Sequence, residues 1–271
     1  MTKSKLIVSP TAPNDEGSVL DITPESAGWQ YVGFEVVWLA EGEKLNRSTG
    51  EREACLVLLS GKADIATKGQ KFSDIGKRFS VFERTPPYAV YVPNEDHYDI
   101  RARTALEIAI CTAPGKGNHE ARLIAPEQVG IETRGYGSTE RQIHNILPEQ
   151  EAADSLLVVE VFTPTGHWSS YPPHKHDRDA LPEESLLEET YYFKIEPATG
   201  FAMQRVYTED RSLDETLVVK DGEATLVPRG FHPVAAPPGY DCYYLNVMAG
   251  PARTWKFYND PDHEWLMKKP E

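Results

Sequence analysis

Residues 167–232 hold three short stretches that read as one unit: His174-Lys175-His176, then Glu188-Glu189-Thr190-Tyr191-Tyr192-Phe193, and then Pro228-Arg229-Gly230-Phe231-His232. On an extended segment successive side chains point to opposite faces, so His174 and His176 share a face while Lys175 points away. Glu189 opens the apolar run Thr190 to Ile195, and His232 closes a turn just after Ala224 to Val227. Three neutral imidazoles and one carboxylate form a nitrogen and oxygen donor set that suits Zn, Mn, Fe, Co or Ni without choosing among them. An HxH pair alone is often no more than two surface histidines beside proline. The three stretches in this order point instead to a metal centre with His174, His176, Glu189 and His232 as ligands.

The stretch Gly222-Glu-Ala-Thr-Leu-Val-Pro228-Arg-Gly230-Phe-His232 resembles the second cupin motif, a glycine, five residues, Pro-x-Gly and then a histidine, with the final spacing one residue shorter than usual. The first cupin motif, HxH followed by a glutamate at the head of a strand, is also present. Here twelve residues, Asp177 to Glu188, lie between His176 and Glu189 in place of three or four. That insertion makes Glu188 a rival ligand. Glu189 is preferred because the family glutamate directly precedes its hydrophobic strand.

The chain has 271 residues, 40% hydrophobic and 10% aromatic, with 21 prolines and 19 glycines. Such a length favours two domains, and short apolar runs punctuated by turn residues favour strands over helices. The net charge of −14, from 42 acidic and 28 basic side chains, comes with no Lys/Arg cluster, which argues against a nucleic-acid partner. Cys55, Cys111 and Cys242 are far apart and sit in hydrophobic runs, so they read as buried thiols of a reducing compartment. The start of the chain lacks a signal peptide's apolar core, and no run reaches the roughly 18 apolar residues of a membrane span. The expectation is a cytoplasmic protein without a membrane partner.

Strand candidates in the first half are Tyr31 to Leu39, Glu53 to Ser60, Ala63 to Thr67, Val90 to Pro93 and Leu106 to Cys111. In the second half they are Leu156 to Phe162, Thr190 to Ile195, Ala202 to Tyr207, Glu215 to Val219, Ala224 to Val227 and Tyr243 to Met248, with Arg141 to Ile146 as the entering strand. Glu53 plus its apolar run, Val92-Pro93 and His97 echo Glu189 plus its run, Val227-Pro228 and His232. The echo lacks histidines before Glu53, so the first half reads as a barrel without metal. The expected fold is all-β, a bicupin of two cupin-type antiparallel barrels or sandwiches in tandem, residues 1–140 without a metal site and residues 141–271 with one.

Beyond the cupin motifs, Trp168-Ser-Ser-Tyr-Pro-Pro-His-Lys-His-Asp177, Gly200-Phe-Ala-Met-Gln-Arg-Val-Tyr207, Asp210-Arg-Ser-Leu-Asp-Glu215 and Tyr243-Tyr-Leu-Asn-Val-Met-Ala-Gly-Pro251 resemble the 5-deoxy-glucuronate isomerase family of bacterial inositol breakdown. The resemblance implies conversion of 5-deoxy-D-glucuronate, an aldose acid, into 5-dehydro-2-deoxy-D-gluconate, a ketose acid, with one divalent ion, Zn or Mn, as cofactor. It also suggests a homo-oligomer. The neighbouring readings are a uronate isomerase of pectin breakdown, which shares the fold and ligand types, and a non-haem iron cupin dioxygenase. Moving a carbonyl by one carbon requires a proton shuttle and stabilisation of an enediolate, which a Lewis acid supplies. Tyr191, two residues beyond Glu189 and on its face, and Gln204 on the next strand are the candidate substrate contacts. Arg205, Arg211 and Lys175 are candidates for the substrate carboxylate, and the residue that moves the proton is left open. The insertion Asp177 to Glu188 is expected to add a helical turn at Glu183 to Glu188. Any covering of the site would use Leu181, Leu186 and Leu187, with the acidic residues facing solvent.

Overall fold

A computed structural model of the chain describes residues 4–268. Among the described residues the one α-helix is a single turn, Pro24–Ala27, and the rest of the regular structure is strand with four 3-10 turns. This is the all-β architecture that short β-branched and aromatic runs between Gly, Pro and Asp predict. Two compact units form. One comprises Pro10–Gly130 with Asn145–Val159; the other comprises the chain up to Ser9, Ile131–His144 and the chain from Glu160 onward.

The first unit pairs a six-stranded antiparallel sheet with a four-stranded one. The larger sheet runs in the order Arg122–Ile124, Ala89–Val92, Arg52–Ser60, Leu106–Pro114, Gly33–Leu39, Ser18–Ile22, and the smaller in the order Lys44–Ser48, His97–Ala102, Ala63–Thr67, Lys71–Ile75. Alternating residues of both, among them Val37, Leu56, Leu58, Ile65, Ile100 and Ile108, fill a common core. Glu53, the counterpart of Glu189 in the internal echo, is fully buried and serves the backbone. Its Oε1 accepts from the Ser155 and Leu156 amides at 2.7 and 2.6 Å, and its Oε2 from the Asp154 amide at 2.8 Å and the Tyr91 hydroxyl at 2.6 Å. His97 lies partly exposed between Asp96 and Asp99.

The second unit has the same two-sheet plan. Its seven-stranded sheet runs Ile7–Val8, Ala224–Val227, Glu188–Glu196, Asp241–Ala249, Leu157–Thr163, Arg141–Leu147, Gly130–Arg134, and its four-stranded sheet runs Trp168–Ser169, Val234–Ala235, Phe201–Tyr207, Asp214–Lys220. Register sets what faces the interior. Glu189 lies opposite Met248 and Val227, and Tyr191 lies opposite Asn246 and Thr225. Partners directly across an antiparallel pair share a face, so Glu189, Tyr191 and Phe193 line one wall with Tyr244 and Asn246.

The insertion differs from expectation. Glu183 to Glu188 forms no helical turn; Asp177–Ala180 and Glu184–Leu186 pair as an antiparallel hairpin. The reason is the Glu184 side chain, which is fully buried and accepts from Lys175 Nζ at 3.0 Å, from the Asp177 amide at 2.8 Å and from Arg178 Nε at 2.8 Å. An extended strand delivers that carboxylate inward, where three donors meet it. The acids therefore do not all face solvent, and of the three leucines only Leu187 is fully buried, Leu181 being 42% exposed. Lys175 likewise points into protein, its Nζ also 2.7 Å from Asp177 Oδ1.

Candidate metal centre

The functional candidates converge in the second unit. His176 Nε2 lies 3.1 Å and His232 Nε2 3.2 Å from Glu189 Oε2, and the three donor atoms fall within 4.8 Å of one another. All three residues are buried. The His174 ring is adjacent, its centroid 5.0 Å from that of His232 and 6.4 Å from that of His176, and it packs 4.7 Å from Phe257. Glu188 pairs with Ala249 one position earlier on the strand and so projects to the opposite face. Glu189 is thus the carboxylate that meets these imidazoles.

Backbone carbonyls fix the rings. His176 Nδ1 is 3.0 Å from the Leu187 oxygen, His232 Nδ1 is 2.8 Å from the Gly230 oxygen, and His174 Nδ1 is 3.4 Å from the Pro172 oxygen. A ring nitrogen that faces a carbonyl carries the proton, which leaves Nε2 as a lone pair. Gly230 makes the last turn possible. Its φ of +91° belongs to glycine, and a Cβ there would sit 2.5 Å from the Tyr207 carbonyl oxygen.

The consequence is electrostatic. With each Nδ1 protonated, two Nε2 lone pairs point at the same buried carboxylate oxygen, an arrangement that a cation among the three would satisfy. His232 Nε2 has no well-formed hydrogen bond even though Glu189 is 3.2 Å away, because lone pair meets lone pair. The ionisation of the groups carries the same signature. Burial opposes charge on Glu189 most strongly, yet the two imidazoles facing it, His176 and His232, bring it down to about 2. Burial also opposes charge on His176, but the Glu189 carboxylate raises it on balance, whereas burial and the neighbouring imidazoles drive His174 well below the usual histidine range. Preorganised Nε2 donors oriented by carbonyls, plus a carboxylate, are the donor set a divalent transition metal takes.

The other candidates are placed as follows. Tyr191 is buried beside the cluster, its ring 5.8 Å from His232 and 5.0 Å from Tyr244, with its hydroxyl 3.1 Å from Ser170 Oγ. Burial, then the Glu189 charge, push its phenol well above the ordinary value. Gln204 faces the interior, but its amide is engaged. Its Oε1 accepts from Thr225 Oγ1, and its Nε2 donates to the His232 carbonyl at 3.4 Å. None of the three basic candidates lines the cavity beside the cluster. Lys175 is held by Asp177 and Glu184, Arg205 pairs with Asp214 at 2.7 Å, and Arg211 donates to the Thr208 carbonyl at 2.9 Å while stacking over Tyr207.

What the sequence reading missed is the cavity beside His174. A space of about 500 Å³ is walled by Arg134, Arg141, Tyr171, His174, Phe257 and Asn259, among others. Arg141 was legible only as the start of a strand, and nothing in the sequence marked Arg134. No spacing rule ties either to a histidine more than thirty positions later.

Comparison with known proteins identifies the family. The chain matches the KduI/IolB family over residues 6–266. It is 64% identical over 265 residues to a 5-deoxy-glucuronate isomerase of Geobacillus kaustophilus, covering 98% of this chain and 96% of that one. It is 49% identical over 252 residues to the protein of that name in Bacillus subtilis strain 168, covering 93% of each. An IolB-like protein from Salmonella typhimurium LT2 superposes with a TM-score of 0.95 at 49% identity, over 97% of this chain and 99% of that one. Oxalate decarboxylase of Bacillus subtilis superposes at 0.66 with 12% identity over 96% of this chain and 80% of that one, a likeness of fold alone. The chain thus holds two cupin-type units in tandem, a bicupin fold. On the match across nearly its whole length, the chain belongs to the KduI/IolB family.

Proposed function

We infer that this chain is an aldose–ketose isomerase that converts 5-deoxy-D-glucuronate into 5-dehydro-2-deoxy-D-gluconate in inositol breakdown. The observation that carries the reading is the buried meeting of His176, His232 and Glu189, found in a chain 64% identical to a relative named for that reaction. The proposed ligands are His174, His176, Glu189 and His232, holding one divalent ion, with Zn or Mn expected. When bound there, such an ion supplies Lewis-acid stabilisation of the negative charge that develops on the carbonyl and hydroxyl oxygens.

The chain's own residues do the rest. His174 closes the cluster on the side of the cavity, so a sugar acid held between Tyr171 and Phe257 lies against that imidazole. Tyr191 keeps its phenol protonated at neutral pH, which suits it to donate a hydrogen bond to a substrate oxygen, with Ser170 orienting it. Gln204 acts at one remove, by steadying the His232 backbone from the opposite sheet. Phe193, Tyr244 and Tyr191 form an apolar wall that limits water around the enediolate.

The deciding experiment incubates the purified protein with 5-deoxy-D-glucuronate under anaerobic conditions and follows the sugar by NMR. Appearance of the ketose without oxygen consumption is expected, and chelation should abolish it. Failure to form the ketose with metal-loaded protein would reject the isomerase reading, and a requirement for oxygen would favour a dioxygenase. The subunit is expected to act as a cytoplasmic homo-oligomer. No described helix is long and apolar enough to cross a membrane.

A further inference from the structure

The proposed substrate carries a carboxylate at the end of the chain remote from its reacting carbonyl; Lys175 and Arg205 are paired with carboxylates of their own, and Arg211, stacked over Tyr207, is not among the residues that line the cavity beside His174. The cavity against His174 offers two other guanidinium groups, and they differ in kind. Arg134 pairs with Glu132 at 2.6 Å and lies over the Trp255 ring at 5.3 Å, so its charge is answered within the wall. Arg141 opens the strand Arg141–Leu147, and its guanidinium donates from Nη1 to the Thr139 carbonyl at 3.0 Å. Among the described residues no carboxylate forms an ion pair with it. Glu132, the acid that acts on it electrostatically, is the one paired with Arg134.

The loop before Arg141 is shaped around that side chain. Gly135 has φ +84°, and a Cβ there would lie 2.1 Å from the Thr139 carbonyl oxygen and 2.7 Å from Arg141 Nη1. The glycine thus leaves room for the guanidinium and for the carbonyl that orients it. Burial works against the charge of Arg141 and holds it below the ordinary arginine value. A desolvated cation with one neutral acceptor is costly until an anion completes its fork of donors.

Its position relative to the histidines fits. Burial raises the Tyr244 phenol to about 12, and Arg141 is among the groups that pull it back, so the two are neighbours. Tyr244 packs on Tyr191 at 5.0 Å, and Tyr191 on His232 at 5.8 Å. Arg141 and His174 line the same cavity, with the imidazole cluster behind His174.

We propose that Arg141 is the specificity-determining anchor for the carboxylate of the sugar acid, which lies in the cavity with its carbonyl end at His174 and its carboxylate on the Arg141 guanidinium. The assignment rests on the isomerase reading for its substrate, but an anion-binding role for Arg141 is measurable without turnover.

The test compares wild type with Arg141→Gln and Arg141→Lys, after metal content and thermal midpoint have shown each variant folded. For 5-deoxy-D-glucuronate, Arg141→Gln should raise KM about 10- to 100-fold, the size of a lost hydrogen bond to a charged group, with a smaller change in kcat. Added guanidinium chloride should recover part of the loss, and Arg141→Lys should fall between, because a point charge replaces a bidentate fork. In a second arm, calorimetric titration should show D-glucuronate binding to wild type more tightly than uncharged D-glucose, and Arg141→Gln should remove that preference. If Arg141→Gln does not fold, Arg141→Lys, which keeps the charge but not the fork, carries the test alone and should raise KM several-fold and weaken the preference for D-glucuronate. An unchanged KM, or a fall in kcat with no loss of the preference for D-glucuronate, would overturn the assignment. If wild type binds D-glucuronate through Arg141 yet forms no ketose, the isomerase reading fails and the anchor stands.

Discussion

Asp177 Oδ2 accepts a hydrogen bond of 2.8 Å from the Gly230 amide, joining the segment that carries His176 to the turn that carries His232 across 53 positions of sequence. The other oxygen of the same carboxylate receives Lys175 Nζ at 2.7 Å, and Lys175 is held in turn by Glu184 of the inserted hairpin. The insertion is therefore part of the frame that keeps the candidate ligands in register. Lys175 is its centre, and its side chain is only 4% exposed.

Breaking this frame should loosen the site before it unfolds the unit. Asp177→Ala leaves Lys175 with Glu184 but frees the Gly230 amide, and a cost of about 1–3 kcal/mol is expected. Lys175→Met, which leaves the fully buried Glu184 carboxylate with only Arg178 and the Asp177 amide, should cost more, about 3–5 kcal/mol. Thermal midpoints together with the rate at which metal is lost to a chelator would check both. If Asp177→Ala released metal no faster than wild type, the clamp would have no bearing on the site.

Metal content should separate the two neighbouring glutamates. Glu189→Ala, His176→Ala and His232→Ala are each expected to reduce bound metal at least tenfold, while Glu188→Ala should retain it, because strand alternation turns Glu188 away. Elemental analysis of the purified variants reads this directly. A stoichiometry of one per chain is expected, since Glu53, which occupies the matching place in the first unit, already accepts four hydrogen bonds. Two ions per chain would contradict the assignment.

Glu53 should matter to stability instead. Glu53→Ala leaves the buried Asp154, Ser155 and Leu156 amides and the Tyr91 hydroxyl without their shared acceptor, and a loss of about 3–5 kcal/mol is expected. Glu53→Gln keeps one accepting oxygen and should lose less. Denaturant midpoints would rank the two, and an Ala variant as stable as wild type would refute the role.

Acid sensitivity of the first unit should pass partly through Asp154. Burial favours its protonated form, but the Lys116 amide at 2.6 Å, the Asn118 side chain at 2.8 Å and His119 outweigh this and hold the carboxyl below its ordinary value. A group whose folded value is depressed binds its proton more tightly when the chain is unfolded. Its stabilisation is therefore complete above the ordinary aspartate value, about 4, and is lost as pH falls through the lower folded value. Asp154→Asn should be less stable at pH 7 by about 1 kcal/mol and should show a shallower loss of stability below about pH 4. Parallel acid-dependent slopes in the two proteins would exclude the contribution.

The order of the three motif stretches and the period-two patterns were enough to read an all-β chain, to bring His176, Glu189 and His232 into one neighbourhood and to prefer Glu189 over Glu188. Those inferences depend on local chemistry: alternation along a strand, a glycine turn before a histidine, apolar runs that must be buried. The inserted segment was misread because its acids look like a solvated loop, and a carboxylate is driven inward only if cations from elsewhere meet it. Lys175, Arg178 and the Asp177 amide do so for Glu184. Arg141 escaped notice for the complementary reason, since a guanidinium becomes informative only when no carboxylate pairs with it, and that none among the described residues does so for Arg141 is settled in three dimensions and in no window of sequence. Backbone pattern is set by neighbours in the chain, whereas the state of a buried charge is set by groups that tertiary folding brings to it.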